Sequence, residues 1–392
     1  MRLVETNMRL AVALFLLVLT LGLIACSEDP NPVGAGLLPT SDFLELDTTS
    51  TVALRSYSQT VIPSASTTRL LVGNVDDIES WGVLRFFALP DSVRYMNIVS
   101  AEVILRSAYH YGDSLAPFSL TAHKVLRSWG TDSLTIDSLQ AAGFYDPAPT
   151  SSLYLSSVGD TASISIPVDT TVIRNWGTLS DTTFQNFGIL LRPTNSRVVR
   201  GFAMFEVSEQ PHRPKLLMRF LRAESGKIDT VTLNTGISRF GARIGNTSWS
   251  SDSTHIYVRN GISYRGMLEF DISSLPAHAA VHKAELELTL DRTRSRFNGY
   301  TVDSTFAVFI GDDGIALSTI FALSEPSEVA GMRVHRFPVG QFVQRWIRGA
   351  AQRKIAISGF AEPNALDLFV FHGAAAPSSL KPKLTIVYSL IR

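Results

Sequence analysis

Eight histidines and one cysteine are the side chains of this sequence best suited to metal or nucleophilic chemistry. A nucleophilic site needs a Cys or Ser with a His and an acid in reach, and a zinc site needs three or four ligands. The histidines are scattered, and only His278 and His282 lie close together, in a connection between predicted strands. No Gly-x-Ser-x-Gly motif is present. The sequence therefore predicts a protein that is not an enzyme and has no catalytic residues, no metal site and no cofactor.

Two pairs of acidic residues, Asp76-Asp77 and Asp312-Asp313, lie near glycines. Asp favours turns because its carboxylate binds nearby backbone groups. Calcium also takes carboxylates and carbonyls from loops, although this chain has no dense Asp-rich calcium loop. We interpret both pairs as turns, and a structural calcium ion stays open as the alternative.

Aromatic residues interleaved with arginine are the candidates for ligand binding. Aromatic rings can stack on the faces of sugar rings, and the carboxylates of acidic polysaccharides pair with Arg or Lys. The alternative interpretation is that these side chains are ordinary parts of strand faces. Trp176 and Trp346 stand in apolar surroundings and are interpreted as core. The candidate ligand-binding residues are Tyr109, Tyr111, Trp249, Tyr257, Arg259, Tyr264 and Arg265.

The charges of the chain balance, with 35 Lys and Arg against 35 Asp and Glu. No segment concentrates basic residues. Proteins that bind nucleic acid usually carry a basic patch, which draws the polyanion to the surface. We therefore expect no nucleic-acid partner.

The only cysteine, Cys26, follows directly on an uncharged apolar run from Leu10 to Ala25, which Arg2 and Arg9 precede. This is the layout of a secretory signal that ends in a lipobox. An uncleaved membrane helix, the alternative, needs about 20 apolar residues, more than this run provides. The sequence therefore predicts a lipoprotein signal peptide over residues 1–25.

Similarity to lipobox proteins implies a diacylglycerol on the Cys26 sulfur and a further acyl chain, such as palmitate, on the new N-terminus. Several acyl chains anchor a protein stably to a membrane. Residues 26–44 hold Pro and Gly close together, which indicates a flexible tether. The pair Glu28-Asp29 resembles an export signal of surface lipoproteins. We expect an outer membrane lipoprotein that faces the cell surface, with the periplasmic face as the alternative.

An internal repeat organises the rest of the chain, because landmarks of the first half return in order in the second. The last pair is a basic-Pro-Lys-Leu segment in each half, at residues 213–216 and 381–384. The matched segments are Leu70–Gly73 with Ala242–Gly245, Gly82–Phe86 with Gly266–Phe270, Ala101–Leu105 with Ala284–Leu288, and Ile166–Val168 with Phe337–Val339.

Most of these landmarks are short apolar or alternating runs bounded by turn residues, which predicts strands of a sandwich or barrel. Only Thr171–Trp176 and Gly340–Ile347 are predicted to be helical. We expect an all-β protein with two tandem jelly-roll-like β-sandwich domains. Their predicted limits are 45–220 and 229–392, with a linker at 221–228.

The segment Gly266–Pro276, followed by Ala284–Leu288, resembles the DNRLRE domain, also called the disaggregatase-related repeat. The first half departs from this pattern, with Phe87 where the second has Asp271. The resemblance implies two copies of a jelly-roll module of exported microbial proteins. Relatives of this domain occur beside polysaccharide-degrading enzymes.

The sequence thus predicts a non-enzymatic cell-envelope lipoprotein with an adhesion or scaffolding role. The alternative is a carbohydrate-binding protein that recognises an extracellular polysaccharide. The expected partners are the membrane, through the lipid anchor, and an unknown polysaccharide or envelope protein.

Overall fold

Alternation of apolar and polar residues builds this protein from β-strands, because it buries one face of each strand and exposes the other. In the strand Ala279–Thr289, the side chains of Ala284, Leu286 and Leu288 are buried and their neighbours are less so. Cys26, the predicted signal peptide and the tether lie outside the described residues. The computed structural model describes residues 45–60, 68–87, 89, 91–130, 134–176, 186–194, 196–204, 212–245, 249–262, 264–299, 301–362 and 364–390.

The fold is all-β, as predicted. The strands of the first half are β1 (Asp47–Thr60), β2 (Arg69–Val75), β3 (Ile78–Phe86), β4 (Asn97–Gly112), β5 (Phe118–Lys124), β6 (Ser151–Leu155), β7 (Ser163–Val168), β8 (Ile189–Pro193), β9 (Val198–Ala203) and β10 (Lys215–Leu221). Those of the second half are β11 (Ile228–Ile244), β12 (His255–Arg259), β13 (Tyr264–Phe270), β14 (Ala279–Thr289), β15 (Thr305–Ile310), β16 (Ala316–Leu323), β17 (Glu325–Val329), β18 (Met332–Pro338), β19 (Lys354–Gly359), β20 (Leu368–His372) and β21 (Lys383–Leu390).

In the part of the chain that the structure describes, three short α-helices interrupt the strands: α1 (Ile136–Gln140), α2 (Thr170–Trp176) and α3 (Gly340–Ile347). The last two confirm the helices predicted from the sequence. Each of these two holds a buried tryptophan against the core of its half, Trp176 in α2 and Trp346 in α3. Their interpretation as core residues is confirmed.

The same antiparallel pairings occur in both halves. In the first, β2 pairs with β9, β3 with β8, and β4 with both β7 and β10. In the second, β12 pairs with β20, β13 with β19, and β14 with both β18 and β21. Each half is therefore a β-sandwich with the same connectivity, as the repeat predicts. The jelly-roll order of its strands stays a prediction.

Even the register of these pairings is shared. Val103 in β4 lies opposite Ile166 and Leu216. At the matching place of β14, Leu286 lies opposite Phe337 and Leu384. Because a slip of one residue would turn every side chain to the other face of the sheet, a shared register places the same sequence positions in both cores.

The first strand of each half is exchanged with the other half. Residues 53–60 of β1 pair with β13 and residues 47–52 pair with β21, so β1 joins the sandwich of the second half. Conversely, residues 228–234 of β11 pair with β10 and residues 235–244 pair with β3, in the sandwich of the first half. Both strands change partner at an irregularity in the register, at Ala53/Arg55 and at Thr235/Ile237.

This exchange corrects one pair of the sequence alignment. Leu70–Gly73 lies in β2, whereas Ala242–Ile244 ends β11 and pairs with β3. The true counterpart of β2 is β12, which occupies the same position beside β13 and β20. The sequence match was wrong because both segments are short apolar runs that precede the glycine-containing strand.

Of the predicted linker at 221–228, residues 222–227 form the turn of a hairpin, while Leu221 of β10 and Ile228 of β11 already pair with each other. The amide of Arg222 donates to the carbonyl of Lys227 at 2.9 Å, and Gly226 adopts a positive φ of 62°. A left-handed residue of this kind is favourable for glycine. The chain thus continues from β10 directly into β11, which also lies in the first sandwich. The predicted domain limits stay predictions.

Residues 47–392 form one compact unit. Each half has its own apolar core, and the first core also includes Ile262, Ala365 and Leu366 of the second half. Among the described residues, no helix has the length and apolar character to cross a membrane.

Candidate functional site

Three of the predicted ligand-binding residues form an aromatic cluster in the second sandwich, namely Trp249, Tyr257 and Tyr264. The rings of Trp249 and Tyr257 are stacked, with centroids 4.8 Å apart and an interplanar angle of 2°. Tyr264 meets Trp249 edge to face at 5.2 Å. Tyr257 is the buried ring of this stack, so within the cluster only Trp249 and Tyr264 are partly exposed to a ligand.

Hydrogen bonds from a short acidic turn fix the position of Tyr257. Its hydroxyl donates to Oδ2 of Asp252 at 2.9 Å, and Oδ1 of Asp252 accepts the Thr254 amide at 2.8 Å. Burial raises the pKa of Asp252, but hydrogen bonds from Thr254, Tyr257 and His255 have the larger, opposite effect and lower the pKa to about 2. The carboxylate is thus charged over nearly the whole pH range, and the turn holds the face of Tyr257 against Trp249.

Beside this turn lies the serine cleft, of about 340 Å³. Ligand pockets usually measure about 300–1,000 Å³, so this one can take a single sugar ring. The sequence reasoning missed it, because its walls come from three distant segments that only the fold brings together. The serine cleft is lined by residues 54–57, 250–253 and 374–375.

Three further predicted residues, Tyr109, Tyr111 and Arg259, lie where the two halves meet. The guanidinium of Arg259 lies over the Tyr111 ring, 5.2 Å from its centroid, and both side chains are buried. The Tyr109 hydroxyl accepts the Leu366 amide at 2.9 Å, and burial raises the pKa of Tyr109 well above its usual range. These side chains therefore contact the protein itself and not the solvent.

Partly buried polar contacts lie at this contact between the halves and beside it. Nδ2 of Asn298 donates to the His110 carbonyl of the first half at 2.8 Å, and within the second half the Thr301 hydroxyl donates to Asp367 at 2.7 Å. Burial raises the pKa of Asp367, although hydrogen bonds from Thr301 and Asn260 act in the opposite direction. Buried polar groups must be paired to avoid a large cost of desolvation, and Asp367 finds its partners within the second half, whereas the Asn298 bond joins the two halves.

Arg265, the last predicted residue, is held by Glu362. Its Nε and Nη2 donate to the two carboxylate oxygens at 2.8 and 2.7 Å. The hydrogen bonds with Glu362 raise the pKa of Arg265, while its burial lowers it. The guanidinium of Arg265 already makes a bidentate contact with the Glu362 carboxylate. Arg265 stays a predicted ligand-binding residue, and a ligand would have to compete with Glu362 for it.

A second cleft, the arginine cleft, has a volume of about 600 Å³ and was not predicted. It lies beside α3 and contains Arg345 and Arg348. No described residue forms an ion pair with either, and Arg345 lies over the Phe309 ring at 5.8 Å. The spacing of the two arginines, three positions apart on a helix, was the available signal. The arginine cleft is lined by Phe309, Gly311, Asp312, Leu317, Gln341, Gln344, Arg345, Arg348, Gly349 and Ala350.

An exposed apolar surface, the phenylalanine patch, consists of Phe306, Phe321, Leu323 and Phe360. Phe321 is 56% exposed, Phe360 45% and Leu323 42%. The ring of Phe306 lies between the other two, with both centroids 5.3 Å away. The patch adjoins β16, which lies at one end of the strand order and is therefore an edge strand. Contiguous exposed apolar groups at a sheet edge are typical of protein contact sites.

Within the described part of the chain, no group of three or more His, Cys, Asp and Glu side chains is placed to hold a metal ion. The acidic pairs lie in turns: Asp76 has a positive φ of 51° between β2 and β3. Oδ1 of Asp312 accepts the Ala351 amide at 2.7 Å, and Asp313 accepts the Ile315 amide at 2.9 Å. A structural calcium ion stays an open alternative.

No family model, curated protein or solved structure matches the chain. The resemblance to the DNRLRE domain therefore stays a prediction, and proposals about function depend on the geometry described above.

Proposed function

We propose that this chain is a non-enzymatic lipoprotein of the cell envelope, with an adhesion or scaffolding role. The lipid on Cys26 would anchor it to the outer membrane, with residues 47–392 facing the cell surface. A polymer or protein of the envelope would be its partner.

The phenylalanine patch is the observation that carries this proposal. Burying apolar surface stabilises a complex by roughly 25 cal/mol per Å². The three adjacent rings provide apolar surface in one place. The counterpart of β16 in the first half, the edge strand β6, exposes the single ring of Tyr154. The second sandwich is thus the half suited to bind another protein.

A photo-cross-linking amino acid in place of Phe321 tests the proposed protein contact in living cells. We expect a discrete product heavier than the chain, with a protein of the envelope. The matched control carries the same amino acid in place of Tyr154, on the corresponding edge strand. No product at position 321, or the same product at both positions, would contradict the proposal.

Proteolysis of intact cells tests the proposed location. We expect added protease to digest residues 47–392 without lysis of the cells. Protection until the outer membrane is opened would assign the chain to the periplasmic face.

The arginine cleft supports a second candidate function, the binding of an extracellular polysaccharide that carries carboxylates. Two guanidinium groups that form no ion pair with a described residue, together with the exposed amide of Gln341, can pair with carboxylates and hydroxyls. The serine cleft, which Arg55 and Asp252 line together with serines, and the partly exposed Trp249 add a second polar site with a ring for stacking.

Gel retardation in alginate tests this second function. We expect the wild-type chain to be retarded, the Arg345→Ala/Arg348→Ala variant to lose most of the retardation, and Trp249→Ala to lose it only if the aromatic cluster takes part. Arg222→Ala, which removes an exposed arginine from the hairpin turn, is the control. Unretarded wild-type protein would exclude this ligand class.

A further inference from the structure

One edge of β13 and one edge of β21 together form an acceptor site for a single strand. β1 occupies this site, pairing with β13 through residues 53–60 and with β21 through residues 47–52. On their other sides, β13 pairs with β19 and β21 pairs with β14. Without β1, the second sandwich would present two open strand edges, and open edges readily take a strand from another chain.

The strand in the acceptor site comes from outside the second sandwich. β1 is continuous in sequence with the first half, to which residues 61–67 connect it. β11 makes the reciprocal connection, from the second half into the first sandwich. Exchange of an equivalent element between two bodies is the defining feature of domain swapping, here completed within one chain.

Hydrogen bonds hold β1 in place more than apolar burial does. Only Ala53, Ser56 and Ser58 are buried, while Val52 and Leu54 are 47% and 67% exposed. Oγ of Ser58 accepts the Tyr257 amide at 2.8 Å, and Oγ of Ser56 accepts the Ala374 amide at 2.7 Å. A strand of the same sequence from another copy can make all of these contacts.

The reciprocal strand, β11, is more firmly placed. Phe240 of β11 is buried in the first core. A Cβ on Gly241 would lie 2.5 Å from the backbone nitrogen of Ile136, so β11 packs tightly against the start of α1. Exchange in the second sandwich therefore exposes less apolar surface than exchange in the first.

We propose that the acceptor site of β13 and β21 also takes β1 from a second copy of this chain, so that copies join through exchanged strands. This inference goes beyond the proposed function and does not depend on it. A short connection such as residues 61–67 gives β1 an effective concentration of about the millimolar range for its own site. Exchange between copies therefore increases as the concentration of the chain approaches that range.

Single cysteines at a contact between β1 and β21 test the proposal. The hydroxyls of Ser50 and Thr385 are exposed and 3.2 Å apart. Chains with Cys26→Ser/Ser50→Cys are mixed with tagged chains that carry Cys26→Ser/Thr385→Cys, unfolded and refolded together, and oxidised. A disulfide between the two variants requires β1 of one chain to occupy the acceptor site of the other.

We expect a disulfide-linked product of one tagged and one untagged chain, with a yield that increases with chain concentration. The control replaces Thr385→Cys by Thr319→Cys, which is exposed on β16 and does not face β1. The proposal predicts a yield several-fold above this control. A yield equal to the control at every concentration, from chains that regain the wild-type circular dichroism spectrum, would overturn it.

Discussion

Two glycines, Gly82 in β3 and Gly266 in β13, illustrate how single residues determine the packing of each half. A Cβ on Gly82 would lie 2.7 Å from Cγ2 of Val72 in β2. A Cβ on Gly266 would collide in the same way with Cγ2 of Ile256 in β12. The glycines therefore permit two strands of the same sandwich to approach closely, and the repeat preserves them for this steric reason.

Gly266→Ala should destabilise the protein by about 1–3 kcal/mol, the usual cost of an overpacked core. Urea unfolding followed by circular dichroism measures this difference in the free energy of unfolding. Gly299→Ala is the control, because a Cβ on Gly299 would meet nothing within 4 Å. Equal stability of the two variants would show that β12 and β13 are not in close contact.

The lowered pKa of Asp252 predicts that the stability of the protein changes with pH in the acid range. Its pKa is about 2 in the folded protein, below the usual value of 3.8 for an aspartate. A lowered pKa stabilises the folded state above pH 4, and this stabilisation is lost as the pH falls towards 2. Asp252→Asn should cost about 1 kcal/mol at pH 7, allowing for screening by solvent.

Unfolding by urea between pH 2 and pH 6 measures this dependence. The variant should lose less stability than the wild type as the pH falls from 4 to 2. Glu224→Gln, in the exposed hairpin turn, is the control and should follow the wild type. Parallel pH profiles of Asp252→Asn and the wild type would contradict the assigned hydrogen bonds.

At the scale of elements, the strand that begins each half stabilises the other half. β1 spans both sheets of the second sandwich, and its irregularity at Ala53/Arg55 lets it turn from β21 to β13. β11 spans β10 and β3 in the same manner, with its own irregularity at Thr235/Ile237. A substitution in β1 should therefore act on residues about 200 positions away along the sequence.

Ser58→Ala gives a test of that long-range effect. The substitution leaves the buried amide of Tyr257 without its acceptor, which costs about 1–3 kcal/mol. Hydrogen exchange should accelerate more at the amides of β12 and β13, which lie next to the lost contact, than at the amides of β2 and β3. The control is Ser50→Ala, since Ser50 is exposed. A larger acceleration in β2 and β3 than in β12 and β13 would place β1 in the first sandwich instead.

At the scale of the whole molecule, the two halves share strands and so should fold as one unit. Fragments cut in the hairpin turn, 45–224 and 225–392, should each lack a stable fold, because each sandwich needs a strand from the other fragment. Mixed in equal amounts, they should form a 1:1 complex with the circular dichroism spectrum of the intact chain. Cooperative thermal unfolding of either fragment alone would contradict this prediction.

The sequence alone predicted the all-β fold, the helices α2 and α3 and most of the matched strands, because alternation and order along the chain are local signals. It could not predict the exchange of β1 and β11, since either sandwich offers equivalent edges to a strand of this type. Similarly, Tyr109 and Arg259 looked like ligand-binding residues because their polar surroundings in sequence conceal a buried contact between the halves. The sequence did not predict the phenylalanine patch, because Phe306, Phe321 and Phe360 come from separate strands and loops.

The exchange of first strands is the central claim, and a pair of double-cysteine variants tests it most directly. Ser50 lies opposite Thr385 in the exchanged arrangement. Without exchange, Ser50 would lie opposite Leu217 of β10, the place that Thr232 of β11 occupies here. At low chain concentration and with Cys26→Ser, the variant Ser50→Cys/Thr385→Cys should form a disulfide within one chain, and Ser50→Cys/Leu217→Cys should not. The reverse result would show that each half keeps its own first strand.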